Sequence, residues 1–200
     1  MNTITTKLTT EAVFSDDGLK RYLLKKTWDP SLPTLAIIML APSIASGVAM
    51  DSTTTLVLNN ASALGFGTVS IVNLFATLGD FSLTSAEVKD PENMKAILDA
   101  VKDADEVIYA PGVGKNKLQV FQERSTQVLT ALRPYEKKLK CLTSTSGKAK
   151  LLHPLCPAVR KWHIAELRLD ELLSVTEPVE PKSPSKKRSG PKVIKKEVSA

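Results

Sequence analysis

Two runs constrain this chain more than any other feature: TLAIIMLA at 34–41 and TVSIVNLF at 68–75 contain no charged residue. A strand with one face in water alternates apolar and polar residues, whereas a run that is apolar almost throughout has to be covered on both faces. Each run is followed by a helical pattern. Asp51 or Ser52 is placed to cap a helix whose inner face is Leu56, Val57, Asn60, Ala61 and Leu64, with Gly65 as the stop. Glu92–Lys102 carries Met94, Ile97, Leu98 and Val101 at the helical spacing i, i+3, i+4, i+7. Further strands are predicted at Glu106–Ala110 and Lys138–Thr143, with a helix over Leu118–Leu132 between them. A last helix would place Trp162, Ala165, Leu169 and Leu172 on one face. Near the start, Val13–Ser15 and Tyr22–Lys26 flank Asp16-Asp17-Gly18, which signals a hairpin. Strands that alternate with helices pair in parallel through right-handed crossovers. The expected fold is therefore α/β: a three-layer α/β/α sandwich around a mostly parallel, four-stranded central sheet. Ligands in such sheets bind at the carboxyl ends of the strands, where Pro42, Ser43, Asn73, Gly112 and the loop up to His153 would gather.

The 200-residue chain, 42% hydrophobic and 24% charged, excludes a wholly disordered, collagen-like or many-pass membrane protein. The uncharged stretch 30–50 is broken by Pro33, Pro42, Ser43, Ser46 and Gly47, so a buried strand and not a membrane span is expected there. The formal charge of +6 is concentrated at the C-terminal end, where seven Lys or Arg stand against three Glu between Glu177 and Ala200. That segment also holds four of the twelve prolines and few large apolar residues. The expectation is one domain over residues 1–176, followed by a disordered basic tail over 177–200. Lys186, Lys187, Arg188, Lys192, Lys195 and Lys196 are its candidate nucleic-acid contacts, with a solubilising terminus as the alternative. Two cysteines and no leader-like N-terminus point to an intracellular, cytoplasmic protein.

Four local patterns carry chemistry. Leu40–Ser46 (LAPSIAS) joins a strand to a capped helix, where backbone N–H groups can face an anion or a flat base. Asn73 closes an apolar strand with a carboxamide, whose paired donor and acceptor match the edge of a base. The same residue could equally cap the strand end. Pro111-Gly112-Val113-Gly114-Lys115 lacks the first glycine and the final Ser or Thr of a phosphate loop, which argues against triphosphate hydrolysis. Thr143–Pro157 delivers His153-Pro154, an imidazole able to donate to developing negative charge, though a lone histidine is more often structural. Cys141, His153, Cys156 and His163 do not match a common zinc spacing, so neither a metal nor a cofactor is expected.

The order of these motifs is more informative than any one alone. Arg21-Tyr22, Trp28-Asp29-Pro30, Met39-Leu40-Ala41-Pro42-Ser43, Asp51, Val72-Asn73-Leu74-Phe75-Ala76, Pro91-Glu92-Asn93 and Gly147 with His153-Pro154-Leu155 resemble an uncharacterised bacterial and phage family. That family is catalogued as domain of unknown function 1643, and the resemblance covers roughly residues 12 to 160. It is similar in turn to the uracil-DNA glycosylase superfamily. The likeness implies a glycosylase-like fold and a pocket that binds a base taken out of the stack. It implies that Asn73 reads the base and His153 stabilises its departing charge, with Pro42, Ser43 and Gly112 forming walls. The family's Asn before Pro-Ser is replaced here by Ala41, which removes the usual water-positioning group; Asp51 is the carboxylate that would have to substitute. The family's Trp-Gly after the third strand is likewise replaced by Pro111-Gly112. The partner implied is DNA or a nucleotide ligand. The alternatives are an enzyme or sensor for a small nucleotide-like molecule, and a non-catalytic phage or mobile-element interaction protein.

Overall fold

The computed structural model describes residues 1–43, 47–79, 85–112, 118–147 and 150–173. The tail, most of the Pro111–Lys115 motif and part of the LAPSIAS loop lie outside the described residues. The elements run β1 (Thr9–Phe14), β2 (Arg21–Thr27), β3 (Thr34–Met39), α1 (Ser52–Ala63), β4 (Thr68–Asn73), α2 (Ser85–Val88) and α3 (Pro91–Asp103). They continue with β5 (Glu106–Tyr109), α4 (Gln119–Ala131), β6 (Leu139–Leu142), β7 (Ile164–Glu166) and α5 (Leu169–Leu173). The seven strands of the described residues form one mixed sheet in the order β1-β2-β4-β3-β5-β6-β7.

The chain is thus α/β, but its sheet is wider than the four strands expected from the sequence. Strands β4, β3, β5 and β6 pair in parallel in the middle. The hairpin does not stand apart: β2 adds to β4 antiparallel, with Leu24 opposite Ile71 and Lys26 opposite Val69. At the other edge, β7 pairs antiparallel with β6, Ala165 facing Cys141. This corrects the expected last helix. Trp162, Ala165, Leu169 and Leu172 have helical spacing, yet Trp162 packs in the cluster on one sheet face and Leu169 in the cluster on the other. One helix cannot serve both faces, and Ile164–Glu166 instead supplies backbone partners that the edge of β6 would otherwise lack.

The central runs behave as their composition requires. Leu35 to Ile38 and Val69 to Val72 are at most 5% exposed, covered from both sides. Leu35, Ile37, Met39, Val69 and Ile71 point toward α1, joining Val57, Ala61 and Trp162. Ala36, Ile38 and Val72 point the other way, toward Ile97 and Val101 of α3 and Val128 of α4. Among the described residues no helix is long and apolar enough to cross a membrane.

Candidate functional site

The site forms where the loop after β3 enters α1. Asp51 is the N-cap residue: its Oδ1 accepts from the Thr54 backbone N–H at 2.6 Å, satisfying a donor that the first turn leaves open. A cleft of about 40 Å³ opens beside this cap, lined by Arg21, Met39, Ala41, Ser43, Asp51 and His153 together with two threonines of α1. Burial alone would push the Asp51 carboxyl up, but hydrogen bonds from Ser43 and Thr54 and the charge of Arg21 outweigh it and hold it below its ordinary value. Asp51 is therefore an anion at neutral pH.

Arg21 reaches the cleft because β2 is irregular. In the hairpin register Val13 faces Leu23 and Phe14 faces Arg21, which leaves Tyr22 without a partner and forms a bulge. Beyond it, Arg21 turns to the α1 side, where Nη1 donates to the Ser43 carbonyl at 3.2 Å. Burial lowers its pKa and Asp51 raises it. Lys26, five residues on and 1% exposed, donates to Thr10 Oγ1 at 2.8 Å and to the Gly47 carbonyl. Two buried cations of β2 thus hold the β3–α1 loop by carbonyls on either side of residues 44–46.

His153 enters from the opposite loop. Burial depresses its pKa, an effect the Asp51 charge opposes, so the ring is neutral at pH 7. Its Nδ1 accepts from the Leu155 backbone N–H at 3.2 Å, which places the proton of the neutral ring on Nε2. Gly112 supports this position. It adopts φ +81°, and a Cβ there would lie 3.1 Å from the His153 Cβ.

Asn73 ends β4 on the same sheet face, paired in register with Met39 of the cleft lining. It is 1% exposed, and among the described residues neither its Nδ2 nor its Oδ1 has a hydrogen-bond partner. The structure therefore gathers Ser43, Asp51 and His153 on one cleft, sets Gly112 against the imidazole and buries Pro42. Asn73 is not on the lining of that cleft, although its register partner Met39 is, and His153 lines the cleft without it. The cleft is also an order of magnitude smaller than usual ligand pockets, with room for a few waters or a small anion.

Sequence reasoning gave no role to Arg21 or Lys26. A charged residue in a strand reads as solvent-facing, and no short-range signal marks the bulge at Tyr22.

No curated protein and no solved structure matches the chain. A family model described as protein of unknown function (DUF1643) matches residues 21–155, from Arg21 beside the bulge through the His153 loop. Spanning more than half of the chain and every strand and helix that builds the cleft, that match makes this protein a member of the DUF1643 family.

Proposed function

We propose that the strand-end site binds a nucleobase, with Asn73 as the group that reads its edge and His153 as the donor that faces it. The observation that carries this is the Asn73 carboxamide, buried with a donor and an acceptor both unused. Each buried unsatisfied polar atom costs about 1–3 kcal/mol, so folding alone does not favour an amide at this place. A base edge offers the complementary acceptor and donor pair. The ligand has to displace the Met39 and Ala41 side of the cleft to reach it, because the volume present is too small for a heterocycle.

The neutral imidazole suits the same ligand. With Nδ1 committed to Leu155, Nε2–H is the free donor, able to stabilise charge on a base oxygen. Hydrolysis would break the bond between C1′ of the sugar and the base nitrogen, with a water oxygen bonding to C1′ and a proton passing to the base. Asp51 is the carboxylate on the cleft lining, but it is ionised and engaged by Ser43 and Thr54, and Ala41 offers no group to position water. Binding is thus better supported than cleavage. The resemblance to the glycosylase superfamily adds to the reading without deciding the reaction.

Thermal-shift titration with free nucleobases and nucleosides, run beside single-stranded DNA carrying uracil, hydroxymethyluracil or hypoxanthine, tests the proposal. Stabilisation that is lost in Asn73→Leu is expected; abasic sites scored in the DNA arm would add cleavage. A response to free nucleosides alone favours a small-ligand protein. No response in any arm, or one indifferent to Asn73 and His153, refutes the site.

A further inference from the structure

A second concavity lies on the other face of the sheet, where α3 meets the β1–β2 hairpin. It encloses about 380 Å³, far more than the cleft beside α1. Its floor is Tyr22 and Leu23, and Val13 of β1 is left 42% exposed because β1 extends the sheet beyond α3. Its walls are charged unequally: Glu11, Glu92, Asp99 and Asp103 against Lys25 and Lys95. Both lysines already have acidic neighbours, since Lys25 stands opposite Glu11 in register and Lys95 donates to Asp99 at 2.7 Å. Burial, and after it the charge of Asp90, raises the Tyr22 phenol, with Glu92 adding to the shift.

We propose that this groove is the docking site of the chain's own basic segment, residues 186–196. Charge is the first argument, as that segment presents Lys186, Lys187, Arg188, Lys192, Lys195 and Lys196 to a lining with an excess of carboxylates. Reach is the second. Helix α5 ends at Leu173, whose neighbours belong to the cluster on the groove's side of the sheet. From β7 to β2 is five strand spacings, about 24 Å, and the roughly dozen residues from 174 to 185 can span up to about 40 Å. Tethering is the third. A short linker raises the local concentration of the segment to the order of millimolar, so a groove of weak intrinsic affinity is filled in its own chain. The apolar floor takes the methylene stems of the lysines while their heads meet the acidic walls. This contact is independent of the nucleobase reading.

Zero-length carbodiimide coupling of the full chain, mapped by mass spectrometry in an equal mixture of isotope-labelled and unlabelled protein, tests it. The tail lysines are expected to couple to Glu11, Glu92, Asp99 and Asp103 at least about tenfold over other surface carboxylates, within one chain, and to lose that preference at about 0.5 M salt. In the Glu92→Gln/Asp103→Asn double variant, whose substitutions are at exposed positions, coupling to the remaining Glu11 and Asp99 should also fall. Coupling spread over acids in proportion to exposure, a preference that survives salt, or predominantly mixed-isotope pairs would each overturn the proposal.

Discussion

Asn73 and Asn93 are both buried carboxamides, and they meet at one carbonyl. The Asn93 Nδ2 donates to the Asn73 backbone oxygen at 3.2 Å and to the Leu74 oxygen at 2.9 Å, pinning the chain as it leaves β4. Asn93 is itself fixed by Asp90, whose Oδ1 accepts from its backbone N–H at 3.0 Å while Oδ2 takes the Lys20 ammonium at 2.6 Å. On the opposite face of the same strand end, neither polar atom of the Asn73 side chain has a hydrogen-bond partner among the described residues. One amide has its Nδ2 spent on the fold and only its Oδ1 without a partner among the described residues, whereas the other has both its donor and its acceptor unpaired there. On the proposed reading, Asn93 serves the fold, and Asn73 costs stability that a ligand would restore.

The largest effect should come from the structural partner. Asn93→Leu strips donors from two buried carbonyls, although Leu74 O retains the Arg124 Nε at 2.8 Å. A loss of about 2–3 kcal/mol in chemical denaturation is expected. A loss below about 0.5 kcal/mol would erase the contrast. Next in size is Gly112→Ala, which puts a side chain at φ +81° and against His153. It should cost about 1–2 kcal/mol and displace the imidazole, visible as a changed His153 ring signal in NMR. An unchanged signal would mean that Gly112 does not set the position of the ring.

A smaller effect is the pH dependence of His153. Its folded pKa lies below the ordinary 6.5, so the unfolded chain binds the proton first. That contribution to stability is complete above pH 6.5 and declines as pH falls toward the folded value. The denaturation midpoint of His153→Gln should therefore fall less than that of the wild type between neutrality and the acid side of that window. Equal slopes would contradict the burial argument. Asp51, lowered in the fold, contributes with the same sign but further down, below its ordinary 3.8.

How much of this was legible in the chain depends on whether the cause is local. The uncharged runs of β3 and β4 announced burial on both faces, and Asp51 was readable as a cap because carboxylate capping needs only a few consecutive residues. Asn73 stood out as the polar end of an apolar strand. Arg21 and Lys26 were not readable as buried, because their partners are carbonyls of a loop some twenty residues away, delivered by tertiary packing. The strand at Ile164–Glu166 was hidden for a similar reason: the open edge of β6 outweighed a local helical spacing. The size of the cleft depends on side-chain packing and has no counterpart in the sequence pattern.

The account rests on the unspent amide of Asn73, and its stability against ligand response is the direct measurement. Denaturation of wild type and Asn73→Leu should be followed with and without saturating nucleobase or nucleoside. The account predicts that the variant is as stable as the wild type, or more so, without ligand and that ligand-induced stabilisation disappears. A variant that loses about 2 kcal/mol on its own while retaining the ligand response would show that the amide serves the fold and not the ligand.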